Sequence, residues 1–173
     1  VPLEAGVVQN GKAKDIAKLA VALGELKKKV EPKEKRAIQV VLTITSSNVY
    51  SQTIFLPEAA QDNIVEAAEL NIQMSSPIRL ESAYHDWHVI KRKEKGQTSK
   101  IEILAAVINK DTINPLVELL QNNGFIVVAV DFAALSSVRV TRLLQTNLNN
   151  TDPYVFLSVT PDGIDFFITR AGE

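Results

Sequence analysis

A chain of 173 residues with 46% hydrophobic and 23% charged side chains can bury a real core without staples. It holds no cysteine, which excludes a disulfide framework, thiolate metal sites and a thiol nucleophile, and which fits a reducing cytosol. A net charge of -1 supplies no global attraction to nucleic acid or an anionic membrane. No run approaches the roughly 18 apolar residues that span a bilayer, and Val1-Pro2-Leu3 opens like a trimmed chain, with neither Met nor a charged leader.

Residues 1 to 12 carry Pro2, Gly6 and Gly11 and read as a loop or short extended piece. Ile16, Leu19, Leu23, Leu26 and Val30 then recur at steps of three and four, the stripe of an amphipathic helix that packs on a core. After the charged linker Glu31 to Arg36, the segment Ala37 to Thr45 is a β-branched strand, apolar on both faces as a buried strand would be. Ser46-Ser47-Asn48 turns the chain and Val49 to Leu56 returns as a second strand. Pro57 ends it, and a helix with an acidic first turn at Glu58 runs to about Met74, using Ile64, Ala67, Ala68 and Ile72.

The stretch Asp86 to Asp131 is the clearest architecture in the chain. A strand runs from Ala83 to Ile90, Lys91 to Lys100 is a basic hairpin loop, and Ile101 to Ile108 is the return strand. Asp111 or Thr112 caps a helix with Pro115 in its first turn, and Asn122-Asn123-Gly124 stops it. Phe125 to Val130 follows as a buried strand with Asp131 at its end. A helix from Ala133 to about Asn147 comes next, then a polar linker, and then a hairpin of Tyr154 to Val159 with Ile164 to Arg170 around Pro161-Asp162-Gly163. The central order is β-β-α-β-β-α-β, an α/β (α+β) layer with a mainly antiparallel sheet.

Little chemistry is on offer. Strand alternation places Tyr84, Asp86 and His88 on one face and His85, Trp87 and Val89 on the other, so the two histidines cannot share a metal. No nucleophile is tied to the Asp86 and His88 pair. The basic runs Lys27 to Arg36 and Lys91 to Lys95 lack interleaved aromatics and contain Glu, so they read as solvated loops rather than as a nucleic-acid surface. No Gly-rich phosphate loop is present.

Several segments nevertheless match one family in order. Thr53-Ile54-Phe55-Leu56-Pro57, a helix closing at Pro77, Leu80-Glu81 and Asp86-Trp87-His88-Val89 resemble the type IV pilus assembly protein PilM family. So do Leu119-Leu120-Gln121-Asn122-Asn123-Gly124-Phe125 and Val130-Asp131-Phe132-Ala133-Ala134-Leu135 with Arg139. The resemblance implies an actin-like ATPase fold related to FtsA. Residues 1–37 belong on that basis to actin-like subdomain 1A, 38–132 to an inserted SHS2-type subdomain 1C with two packed helices, and 133–173 to the return into the actin-like fold.

It also implies a cytoplasmic scaffold or adaptor of type IV pilus or type II-like secretion assembly, held at the inner face of the membrane by a partner. That partner is the short tail of a PilN-like inner-membrane protein, with other pilus platform proteins and further copies of the chain as additional partners. No nucleic acid and no membrane insertion are implied. Tyr84 and Trp87 are the candidate partner-binding anchors.

The family's first phosphate loop is expected before Val1. Its second aligns with Ser158, Thr160, Asp162 and Gly163, where Ser158 replaces the expected Asp and Thr160 the expected Gly. A magnesium nucleotide would lack both a carboxylate and a close backbone approach there. The expectation is a non-enzymatic chain without cofactor, with ATP reserved for a longer parent. The alternative is a nucleotide-dependent filament or cell-division protein similar to FtsA.

Overall fold

The computed structural model describes residues 1–30, 38–92, 100–144, 152–160 and 163–169. A small hairpin of β1 (Val8–Gln9) and β2 (Lys12–Ala13) leads into helix α1 (Ile16–Val30). Asn48 fastens that hairpin to the next unit, its Nδ2 donating to the Asn10 carbonyl and to Thr45 Oγ1, each at 2.7 Å. Gly11 beneath it has a φ of +68°, and a Cβ there would run into the side chains of Asn48 and Thr45. Lys18 reaches back to Glu4 at 2.6 Å, and that hydrogen bond and charge push its ammonium above its ordinary pKa. Both side chains are exposed, so the pair contributes little to stability.

Strand β3 (Ile38–Ile44) pairs in parallel with β7 (Phe125–Phe132) rather than with its neighbour in sequence. A register shift between Val40 and Val41 marks an irregularity in that ladder. The expected return of Val49 to Leu56 against β3 is therefore corrected. A 3₁₀ turn at Ser46–Asn48 carries the chain away, and β4 (Tyr50–Pro57) joins a different sheet. That antiparallel sheet has the order β4-β6-β5, with β5 spanning Ala83–Arg92 and β6 Lys100–Asn109. The loop expected at Lys91 to Lys100 thus shortens at both ends, and residues 93–99 lie outside the described ones.

The core of this sheet is legible in β6, where Ile101, Ile103, Ala105 and Val107 are all buried. Helix α2 (Ile64–Ser75) lies on that side, inserting Ala68 and Ile72. The acidic turn after Pro57 is a 3₁₀ segment, Glu58–Asn63, and the α-helix starts only at Ile64. On the other side, Ile44, Ile108 and Ile113 form a second centre beneath helix α3 (Lys110–Asn122).

The cap of α3 is Asn109, whose side chain accepts from the Asp111 N–H at 2.9 Å, so neither Asp111 nor Thr112 holds that place. Pro115 sits past the first turn. The carbonyl it leaves unbonded is that of exposed Asp111, close to the helix end where water reaches it. Gly124 closes the helix with a φ of +84°, and Lys27 of α1 lies over it where a Cβ would stand.

Neither β3 nor β7 is buried on both faces. Val41 is 57% exposed on the face opposite the one where Leu42 and Ile44 meet α3, and Ile126, Val128 and Val130 of β7 are exposed as well. Helix α4 (Ala133–Leu144) packs against β3 and β7, and residues 145–151 lie outside the described ones. The last hairpin joins β8 (Tyr154–Thr160) to β9 (Gly163–Thr169). Among the described residues no helix is long and apolar enough to cross a membrane.

Ile103 is fully buried between α2 and the sheet, and replacing it with Ala leaves a cavity the surroundings fill only partly. Ile103→Ala is expected to lower the unfolding free energy by about 2–5 kcal/mol, measured by urea denaturation. Exposed Val65→Ala on the same helix is expected to change it by less than about 0.5 kcal/mol.

Candidate functional site

Strands β5 and β6 each have two faces, and only one is spent on the α2 core. The other presents Tyr84, Asp86 and His88 from β5, opposite Ile108, Ala106 and Leu104 of β6 in the antiparallel register. Those three β5 side chains are exposed, as alternation predicts, while Trp87 and Val89 turn toward α2. The end of β7 and the start of α4 rise beside this outer face. Between them runs a groove of about 380 Å³ walled by Leu104, Ala106, Ala129, Phe132 and Leu135, with Asp86, His88, Asp131 and Arg139 among its polar atoms. A second depression of about 170 Å³ continues past Tyr84 and His85 toward Ile44 and Val49. The two share Asp86, Ala106, Val130, Asp131 and Phe132, so they form one furrow.

Asp131 organises one wall. Its Oδ1 accepts from the Phe132 N–H at 2.9 Å and its Oδ2 from Ser136 Oγ at 2.9 Å, which ties the strand end to the first turns of α4. The same Oδ2 pairs with the Arg139 guanidinium. The Asp131 side chain is 15% exposed while that of Arg139 is 63% exposed. Arginine carries five N–H donors in a fixed fork, so the remaining ones are available to a carbonyl or carboxylate laid in the furrow.

The two expected anchors separate. Tyr84 stands at the rim of the furrow, its hydroxyl donating to Asn114 Oδ1 at 2.9 Å and its ring 5.6 Å from Lys110 Nζ. Lys110 is itself held by the Glu81 carbonyl at 2.8 Å, so the ring is fixed from two sides. Trp87 borders the groove, but its side chain packs against both clusters beneath α2. His85 and His88 project from opposite faces of β5.

Residues of the degenerate phosphate loop lie far along the chain in the last hairpin. Ser158 pairs with Asp165 and Thr160 with Gly163, while Asp162 lies outside the described residues. Leu104, Ala106 and Ala129 escaped sequence reasoning as site residues. Their places along the furrow follow from which strands become neighbours, and composition carries no signal for that.

Removing the Asp131 carboxylate takes away the shared acceptor for Phe132, Ser136 and Arg139. Asp131→Ala is expected to cost about 1–2 kcal/mol and to raise amide hydrogen exchange in residues 133–139, with β4 and β6 unchanged.

Comparison with solved structures finds the same fold in a chain described as the PilM-PilN type IV pilus biogenesis complex, with a TM-score of 0.78 at 16% identity. The match covers 99% of this chain and 50% of that one, so the chain spans half the length of that relative. The cytoplasmic domain of EpsL, an inner membrane component of the type II secretion system of Vibrio cholerae, matches over 65% of this chain and 42% of its own. Its TM-score is 0.44 at 14% identity. No protein of curated function matches by sequence. The family profile described as type IV pilus assembly protein PilM matches residues 1–161. With that match running through nearly the whole sequence, the chain belongs to the type IV pilus assembly protein PilM family.

Proposed function

We propose that this chain is a non-enzymatic adaptor of a type IV pilus assembly machine, and that its furrow holds the short cytoplasmic tail of a PilN-like inner-membrane protein. The observation that carries this reading is the furrow itself. It has an apolar floor from Leu104 and Ala106, an apolar wall from Phe132 and Leu135, and rim groups of both signs at Asp86 and Arg139. An extended peptide needs that combination, with pockets for alternate side chains and polar groups to fix its direction. The family membership and the partner present in the structurally similar complex support the same assignment.

Tyr84 acts in this reading as a pre-set aromatic at the mouth of the furrow, and Trp87 as the support beneath β5. The chain works without a nucleotide of its own, since Ser158 and Thr160 stand where a carboxylate and a glycine would be needed. Attachment to the membrane comes through the partner's tail.

The decisive measurement is calorimetric titration with the N-terminal peptide of the PilN-like protein that accompanies it. Ala106→Arg, which fills the floor of the furrow, is expected to weaken binding about tenfold or more, and Arg139→Ala by a similar amount. Both variants are expected to keep the far-ultraviolet circular dichroism of the parent. A well-folded parent that takes up no peptide at millimolar concentration overturns the assignment.

A further inference from the structure

The charges of the furrow do not balance. It holds two carboxylates, Asp86 and Asp131, against one guanidinium, Arg139. Asp131 is spent, because its oxygens take the Phe132 N–H, the Ser136 hydroxyl and Arg139, and its side chain is largely covered. Asp86 is not. Its Oδ1 accepts from the Trp87 N–H at 2.8 Å, and among the described residues its Oδ2 has neither a hydrogen bond nor a cation. Lys110, beyond Tyr84, is taken up by the Glu81 carbonyl and the Tyr84 ring.

Position makes that spare carboxylate matter. Asp86 is exposed and lines both depressions, so it stands where they join. Its partner across the ladder is Ala106, and a methyl group leaves the carboxylate uncovered from that side. The furrow continues from Asp86 toward His88 and Leu135 in one direction and toward Tyr84 and Ile44 in the other. A peptide lying in it therefore passes Asp86 with its interior, not with its end. Side chains on one face of a strand repeat about every 6.6 Å, so Tyr84, Asp86 and His88 match the spacing of alternate residues in an extended peptide.

We propose that Asp86 sets the specificity of the furrow by receiving the side chain of one Lys or Arg from the interior of the bound tail. This rests on the reading of the furrow as a peptide site and adds the chemistry of the peptide, an extended segment with a cation over Asp86 and an apolar residue two places along beside the Tyr84 ring. A carboxylate bound to an ammonium or guanidinium makes a charge-assisted hydrogen bond, stronger than a neutral one. Covering the pair against the apolar wall of Phe132 and Leu135 removes water and strengthens the attraction. A tail with Asp or Glu at the same place meets an unpaired carboxylate and is rejected.

The test is calorimetric titration of the 173-residue chain with the N-terminally acetylated peptide of the PilN-like tail. Copies of the peptide replace each Lys or Arg in turn by norleucine or by Glu. At one interior position norleucine is expected to weaken binding about tenfold to the parent chain, and to change nothing in Asp86→Asn. Asp86→Lys is expected to bind the peptide with Glu at that position about tenfold more tightly than the parent does. Glu66→Gln, an exposed acid on α2 across the sheet, is expected to leave every affinity within about twofold. Asp86→Asn that binds the unaltered peptide as tightly as the parent overturns the proposal and leaves the furrow standing as a peptide site. So does an equal loss in Glu66→Gln, which assigns the effect to general charge, and so does a peptide that binds only with its terminal ammonium free. A binding segment without Lys or Arg overturns it outright. A well-folded parent that binds none of the peptides overturns both this inference and the reading it rests on.

Discussion

The parallel pairing of β3 with β7 is the constraint on which the rest of the molecule depends. Everything from β4 to α3 lies between these two strands in sequence, so their pairing closes a loop that holds a whole sheet and two helices. Closing a loop of flexible chain costs entropy that grows slowly with length, and a pre-folded insertion removes most of that freedom beforehand. The pairing sets the last residues of β7 beside the outer face of β5 and β6. Asp131 then starts α4 at the same point by accepting from Phe132 and Ser136. Without this ladder the furrow would have one wall.

Strand β6 carries two tasks at once, and the alternation of its side chains keeps them apart. Ile101, Ile103, Ala105 and Val107 are buried toward α2, while Leu104 and Ala106 look into the furrow. The core and the furrow floor are therefore kept apart along one strand, since neighbouring residues point to opposite sides of the sheet. Ala106 puts only a methyl group on the floor of the furrow. On β5 the division puts Trp87 under α2 and Asp86 and His88 on the open side.

Apolar surface left uncovered is distributed unevenly. The last hairpin pairs Val155 with Ile168, Leu157 with Phe166 and Val159 with Ile164, and all six side chains are exposed on one face. On its opposite face Phe156 and Phe167 stack with centroids 4.8 Å apart and planes 4° from parallel. This cross-strand pair holds the two strands together and adds to whatever their hydrogen bonds supply. The β3–β7 pair also leaves Val41, Ile126, Val128 and Val130 exposed.

The amino-acid sequence by itself determined the local elements, because period and punctuation are local properties. The helix marked by the spacing from Ile16 to Val30, the alternation of Tyr84 to Val89 and the stop at Asn123-Gly124 all reappear in the fold, but the core packing expected of that helix does not, since none of its residues is buried and Ile16 and Val30 are exposed. It also carried the family, through many short matches in one order. Its errors fell where a residue's role depends on distant partners. A run such as Val40-Val41-Leu42 is apolar throughout whether one face or two are covered, and only the packing of α3 on a single side left Val41 exposed. The cap of α3 moved to Asn109 because the strand before it ends there, placing that side chain over the first free N–H groups. The parallel partner of β3 and the furrow that brings Asp86 to Arg139 were decided by tertiary structure alone. Strand pairing across such a separation is selected by the fit of whole surfaces, and no single residue in either strand records its partner.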